Sequence, residues 1–447
     1  MIAGPSVILA TLVATAATAP PSSTTETVDT LTLGEAIRLA LEADPALASA
    51  EAAGDAATAG VRMAEASRFP SLAARAQVTR FEEPMIVAPI HAFDLANTPD
   101  FDRLLVQGRA EMAYTVWDGG ERRARIAGAR AVESGQAGTA EAARQGALDR
   151  TVEAYLAVLT ARDVVVAETA HREELEAERD RVSRFLAEGA AAEIELLRAE
   201  AELSAATAEE SAAGARLELA ESTLARLLDV PSTSLAGEPL VDVSLSGSAD
   251  LALDEPLLEG HPTITAARGR AESARAMARA ARAAWLPVVR ASAALVEYGG
   301  GSAPYLSEWQ AGLQVEYPLF TGGSRSGAAD RAEAEARVAE ADLERIRRDL
   351  LLMVDAARSA ETEARSRVAA LSAAVSRFEE LARVEALALD EGVGVQRDFL
   401  RAQAGLLEAR TGLAEARRAA VRARVRLARA IGRLTPGWID QSLEPVS

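Results

Sequence analysis

The chain contains two copies of one unit, and this internal repeat restricts its fold more than any other feature. Pro45 and Pro262 lie in similar segments, DPALASAEAAG and HPTITAARGRA, at an offset of 217 residues. From Tyr114 and Tyr317 onward the offset is 203, and it stays constant to the end of the repeat. A constant offset over more than a hundred residues predicts long elements that must match in length.

Each copy contains two segments in which apolar and polar residues alternate. In the first copy they cover about 71–81 and 108–118, and in the second about 288–298 and 308–320. A period of two predicts strands with one apolar and one polar face. Each strand is about ten residues long, which is the length that crosses a bilayer when a strand is tilted.

Long helices follow each strand pair. Apolar residues recur at steps of three and four, which predicts helices over about 121–187 and 324–390. Return helices over about 194–228 and 396–431 complete two hairpins. The hairpin tips contain Gly189 in the first copy and Gly392 and Gly394 in the second. A 67-residue helix is about 100 Å long.

A pair of glycines joins the second strand of each copy to its long helix. These residues are Gly119, Gly120, Gly322 and Gly323, in the segments VWDGG and PLFTGG. Glycine adopts backbone angles that other residues resist, so the chain can turn there within two residues. Aromatic residues precede both joins, and we expect them at a membrane interface. They are Tyr114, Trp117, Tyr317 and Phe320.

Composition excludes several functions. A formal charge of -19 argues against nucleic-acid binding, which needs a cationic face. The chain has no cysteine, so disulfides and thiolate metal sites are excluded, and six methionines alone do not support a copper or silver conduit. The three histidines, His91, His171 and His261, lie in unrelated contexts and no nucleophile motif is present. We therefore expect no enzyme, no cofactor and no metal site.

The repeats also define the predicted domains. Residues 1–16 resemble a secretory signal peptide, with cleavage between 16 and 19. The first repeat covers 31–228, a linker covers 229–255, the second repeat covers 256–432 and a tail covers 433–447.

Four strands cannot close a barrel, and an open sheet edge in lipid leaves backbone groups unpaired. Two copies would give eight strands, whose side chains nearly fill the interior, whereas three give twelve and leave an aqueous bore. The strand count therefore predicts a homotrimer.

The paired units, the VWDGG and PLFTGG joins, and the tip segments EGAAAEIELLRAEAEL and EGVGVQRDFLRAQAGL resemble the TolC-like outer-membrane efflux proteins. The resemblance covers about 31–434. It implies a mostly α fold with transmembrane β strands: a trimeric 12-stranded outer-membrane β-barrel continuous with a periplasmic α-helical barrel. The linker and the tail would form a belt around it.

The same resemblance implies a function and partners. Such proteins are exit ducts of tripartite efflux pumps or type I secretion systems, embedded in outer-membrane lipid. They act with a periplasmic adaptor, the membrane fusion protein, and an inner-membrane pump of RND or ABC type. The alternative is that this chain is itself a periplasmic coiled-coil adaptor, which would have one hairpin flanked by soluble modules.

The resemblance further implies a gate at the hairpin tips. An acidic residue after the tip turn can face the pore axis, and the matching positions are Asp398 and Glu195. Where other members carry a second acid three residues on, this chain has Arg401 and Arg198. The alternative is that all four are solvated charges on helix surfaces.

Overall fold

The computed structural model describes residues 31–87, 100–189, 192–232, 235, 240–246, 259–301, 303, 305–391, 393 and 396–445. The predicted signal peptide, most of the linker, and Gly392 and Gly394 lie outside them. The helices are α1 Leu33–Ala43, α2 Pro45–Ala66, α3 Glu121–Ala187, α4 Glu193–Leu228, α5 Pro262–Ala283, α6 Ser324–Asp390, α7 Gln396–Ala430 and α8 Pro436–Ser442. The strands are β1 Ser71–Ile86, β2 Phe101–Trp117, β3 Val243–Leu245, β4 Val288–Gly299, β5 Leu306–Glu316 and β6 Leu443–Pro445.

Two helical hairpins form most of the molecule. Helices α3 and α6 each contain 67 residues and pair with the return helices α4 and α7. Near the strands α3 also packs against α2 and α5, and α5 packs against α6. Farther from the strands, α3 packs against α7, so the two hairpins lie side by side. Because α3 and α6 have equal lengths, the two hairpins extend the same distance from the sheet.

Glycines allow α3 and α5 to approach closely. A Cβ atom at Gly269 would lie 2.6 Å from the carbonyl oxygen of Ala131 and 2.6 Å from the Cα of Gly135. A Cβ atom at Gly138 would meet the backbone of Ala266 and Pro262 at 2.7 Å. Such contacts need little side-chain volume, which accounts for a folded chain with only 4% aromatic residues.

The largest apolar core lies where α1, α3, α4 and α7 meet the small sheet of β3 and β6. Tyr155 of α3 is fully buried there, with its hydroxyl 2.9 Å from the carbonyl oxygen of Leu31 and 2.8 Å from that of Val241. Burial raises the pKa of Tyr155, so its hydroxyl stays protonated. The pairing of Val243–Leu245 with Leu443–Pro445 joins the linker to the C-terminal tail.

Two buried arginines of α7 form ion pairs with other elements of this core. Arg418 lies 2.5 Å from Asp163 of α3 and 3.3 Å from Asp242 beside β3. Arg424 lies 3.1 Å from Glu361 of α6. Arg424 and Glu361 are both largely buried, so removing either one leaves a buried charge unpaired, at a cost of roughly 3–5 kcal/mol. These contacts therefore fix the position of α7 between its neighbours.

The four long strands form one antiparallel sheet in the order β1-β2-β4-β5. Strands β1 and β2 extend beyond the predicted 71–81 and 108–118, because pairing resumes after an irregularity between Arg80 and Met85. Strand β5 covers Leu306–Glu316 and ends before the predicted boundary at 320. The reason is Pro318, which has no backbone N–H to donate to a neighbouring strand.

Both strand-to-helix joins have the left-handed backbone that favours glycine. The φ angles are 65° at Gly119, 91° at Gly120, 62° at Gly322 and 86° at Gly323. A Cβ atom at Gly119 would also lie 2.7 Å from the side chain of Leu286. The chain therefore passes from strand to helix through two consecutive positive φ angles in each repeat.

We expect the double substitution Gly322→Val with Gly323→Val to impair assembly, because a β-branched residue at positive φ is strained. Two such positions cost about 2–6 kcal/mol. The measurement is the amount of protein in the outer membrane and its mobility on unheated SDS gels. Gly327→Ala is the matched control, because Gly327 is helical and has open space around its Cβ position. Normal assembly of the double variant would contradict the strand-to-helix account.

His261 connects the start of α5 to the end of α7. Its Nδ1 accepts a hydrogen bond from the Thr263 N–H at 3.2 Å and so caps α5, while its Nε2 lies 3.3 Å from the carbonyl oxygen of Arg429. Asp349 and the Arg429 side chain line the same cavity. Burial lowers the pKa of His261, so the folded protein favours the neutral ring whose Nδ1 can accept the capping bond.

Because the folded-state pKa of His261 is lowered, the unfolded chain binds its proton more readily. The contribution of His261 to stability is therefore full above the unfolded pKa of about 6.5 and is lost as pH falls. We expect His261→Asn, which keeps a capping oxygen but does not titrate in this range, to lose less thermal stability than wild type between about pH 7.5 and pH 5. Circular dichroism melts at both pH values measure this, and parallel losses in both proteins would refute it.

Candidate functional site

One face of the four-stranded sheet is apolar and exposed. Register places Leu72 opposite Met112, Ala110 opposite Leu295, and Leu295 opposite Trp309. Leu72 is 80% exposed, Trp309 77% and Leu313 75%. The same face also contains Val78, Ala74, Val106, Ala291, Ala293, Ala311 and Val315. A contiguous apolar face across four strands is typical of a surface in contact with lipid or protein.

The opposite face of the sheet is polar and charged. Arg75 Nη1 lies 2.8 Å from Glu111 Oε1, and Arg109 Nε lies 2.8 Å from Glu111 Oε2. Arg290 of β4 is paired with Glu316 of β5. Gln77, Thr115, Gln310 and Gln314 lie at intervening positions of this face. Charged and amide side chains of this kind suit an aqueous lumen.

The sheet has two free edges. Strands β1 and β5 are its outer strands, and each pairs on one side only among the described residues. Their outward backbone N–H and C=O groups need partners wherever water is excluded. The sheet of one chain is therefore incomplete as a membrane-spanning structure.

The predicted interface aromatics lie at one end of the sheet. Tyr114 is on the apolar face of β2, and Tyr317 directly follows β5. Trp117 is the last residue of β2. Phe320 was predicted to lie within a strand, but it follows β5, beyond Pro318, and is 88% exposed. The structure thus places four aromatic side chains close to the two glycine joins.

The predicted gate residues lie on the first turns of the return helices. Glu195 and Arg198 are exposed on α4, and Asp398 and Arg401 are exposed on α7. Gly189 at the first tip has a φ of 74°, as expected for a tight turn. The tips also contain exposed apolar side chains, namely Phe185, Ile194, Leu197 and Val393.

Sequence reasoning did not identify two arginines at the joins. Arg122 forms an ion pair with Asp118, with Nε 2.6 Å from Oδ2. Arg325 lies against the rings of Trp285 and Tyr317. The constant offset of 203 residues aligns Arg122 with Arg325 and Asp118 with Thr321. The loss of the carboxylate in the second copy was therefore visible in the sequence.

None of the helices in the described part of the chain has an apolar segment long enough to span a membrane. Across the same residues, histidine and acidic side chains form no group of three or more that could hold a metal ion.

Comparisons with solved structures identify proteins of the same fold. The outer membrane protein VceC of Vibrio cholerae is 22% identical with a TM-score of 0.75, covering 90% of this chain and 96% of that chain. The Campylobacter jejuni CmeC outer membrane channel is 18% identical with a TM-score of 0.76, covering 90% and 85%. The open Neisseria gonorrhoeae MtrE outer membrane channel is 18% identical with a TM-score of 0.69, covering 90% and 91%.

A family model establishes the relationship at the level of sequence. No curated protein matches the chain. The model of the outer membrane efflux protein family matches residues 36–229 and 255–433, which include both repeats. This match favours a channel over the alternative of a periplasmic adaptor. The chain therefore belongs to the outer membrane efflux protein family and is an outer-membrane efflux channel protein.

Proposed function

We propose that three copies of this chain form a closed 12-stranded β-barrel continuous with a periplasmic α-helical barrel. The observation that carries this proposal is the four-stranded sheet with an exposed apolar face, a charged face and two free edges. Pairing of β5 of one copy with β1 of the next satisfies both edges. Three copies are the smallest ring of such sheets that leaves an aqueous bore.

The proposed duct carries cargo passively across the periplasm and the outer membrane. Helices α3 and α6, with 67 residues each, are about 100 Å long, which suits a periplasmic tunnel. The charged face of the sheet would line the barrel, and the apolar face would contact lipid. The family relationship and the amphipathic sheet both support this assignment.

A tripartite efflux pump is the proposed setting, with a type I secretion system as the second candidate. Phe185, Ile194, Leu197 and Val393 expose apolar surface at the hairpin tips, where a periplasmic adaptor would dock. The adaptor would connect the duct to an inner-membrane pump of RND or ABC type.

Reconstitution tests the channel function. Purified protein added to a planar lipid bilayer should produce discrete conductance steps, because a closed barrel leaves a continuous aqueous path. Native mass spectrometry of the same sample should give the mass of three chains. A monomeric mass together with no conductance would contradict the proposal.

We further propose that Asp398 contributes to a gate. Three copies of Asp398 near the axis would form a ring of like charges, which attracts cations and opens when an adaptor rearranges neighbouring contacts. Glu195 occupies the equivalent place on α4, and Arg401 and Arg198 follow one helical turn later. Neighbouring arginines such as Arg401, or a bound cation, would hold the ring shut until then.

We expect Asp398→Asn to weaken cation selectivity and block by divalent cations, because it removes the charge and keeps the shape of the side chain. Glu195→Gln is the matched control and should have a smaller effect if the second repeat lines the axis. Single-channel recordings under a salt gradient measure the selectivity of each variant. Unchanged selectivity and block in Asp398→Asn would place Asp398 on the solvated outer surface.

A further inference from the structure

The two strand-to-helix joins contain equivalent arginines with different surroundings. In the first repeat, Arg122 Nε lies 2.6 Å from Asp118 Oδ2, and Arg122 Nη1 donates to the carbonyl oxygen of Ser67 at 3.1 Å. Asp118 is only 8% exposed and also accepts from the N–H of Gly120. The charge of Arg122 is therefore neutralised within its own chain.

In the second repeat the equivalent of Asp118 is Thr321, so the carboxylate is absent. Arg325 Nη1 donates to the carbonyl oxygen of Ala284 at 3.4 Å, which reproduces the contact of Arg122 with Ser67. Among the described residues, Arg325 contacts the carbonyl oxygen of Ala284 and two aromatic rings but no carboxylate, and its Nε is buried without a hydrogen-bond acceptor. A cation with a buried donor and no anion is costly in a poorly hydrated place.

Two aromatic rings hold the Arg325 guanidinium in position. Its central carbon lies 4.7 Å from the ring centroid of Trp285 and 6.0 Å from that of Tyr317. Trp285 stands where the first repeat has Arg68. Cation–π contacts orient the guanidinium but leave its positive charge unbalanced. The second join therefore presents a fixed cation with no anion beside it in the described part of the chain.

The position of Arg325 indicates which anion it meets. Tyr317 directly follows β5, whose apolar face ends with Val315, and the neighbouring Leu319 and Phe320 are 85% and 88% exposed. These apolar side chains next to a cation match a phospholipid, whose phosphate lies beside its acyl chains. A free phosphate ion would use the cation but not the apolar surface.

We propose that Arg325, held by Trp285 and Tyr317, binds the phosphate of a phospholipid in the periplasmic leaflet of the outer membrane. This inference rests on the proposed function, because it requires the apolar face of the sheet to contact lipid. Arg325 donates hydrogen bonds to the phosphate oxygens, and Leu319 and Phe320 contact the acyl chains. Arg122 does not bind lipid in this way, because Asp118 already occupies its guanidinium.

The test compares lipid binding to purified wild-type protein and three variants in detergent by native mass spectrometry. The probes are phosphatidylglycerol and a diacylglycerol with the same acyl chains but no phosphate. Arg325→Gln removes the cation, Thr321→Asp supplies the carboxylate that the first repeat has, and Arg122→Gln is the matched control. We expect wild type and Arg122→Gln to prefer phosphatidylglycerol by roughly tenfold, and both other variants to lose that preference.

Three outcomes would overturn the proposal. The first is an equal preference for phosphatidylglycerol in wild type and Arg325→Gln. The second is displacement of phosphatidylglycerol by inorganic phosphate, which would identify an ion site rather than a lipid site. The third is that Thr321→Asp loses the trimer but keeps the lipid preference. This result would indicate that Arg325 pairs with a carboxylate of a neighbouring chain and not with lipid. The mass of the complex is read from the same spectra, so failure of trimer assembly is recognised separately from failure of lipid binding.

Discussion

The pairing of backbone groups in the four-stranded sheet is the constraint on which the rest of this structure depends. In lipid, each unpaired N–H or C=O costs several kcal/mol, so a sheet with free edges at β1 and β5 is not a stable membrane element by itself. Closure between copies removes the cost without any change within the chain. The proposed assembly therefore follows from the incomplete sheet, and the helices must then fit around a closed ring.

The helices can fit around such a ring because they are long and pack through small residues. Helices α3 and α6 have the same number of residues, so the two hairpins of a chain reach the same depth. Small residues such as Gly135 and Gly269 let helices lie close together and need no thick core. The larger core, around Tyr155, is confined to the level where the linker and the tail join the hairpins. Long helical hairpins of an outer-membrane channel can therefore pack side by side with few bulky side chains.

Much of this architecture could be predicted from the sequence, because the two repeats constrain each other. Helix α3 begins at Glu121 and α6 at Ser324, each directly after a glycine pair that the pattern had marked. The ends of the strands were less predictable. Strand β5 ends before Pro318. Strand β1 continues beyond a register shift between Arg80 and Met85, where the alternation of apolar and polar residues is interrupted. The special environment of Arg325 could not be predicted from its own position, because Arg122 and Arg325 are equivalent in the repeat and differ only in their neighbours Asp118 and Thr321.

Covalent linking of β1 to β5 tests the central claim, closure of the barrel by three chains, most directly. The chain has no cysteine, so a pair introduced at Ala74 and at Ala311 or Leu313 gives a clean background. Oxidation in membranes should yield a covalent trimer for at least one pairing, and single-cysteine variants should yield none. A ladder of dimers and larger species that passes beyond three chains, or bonds formed only within one chain, would contradict a closed ring of three.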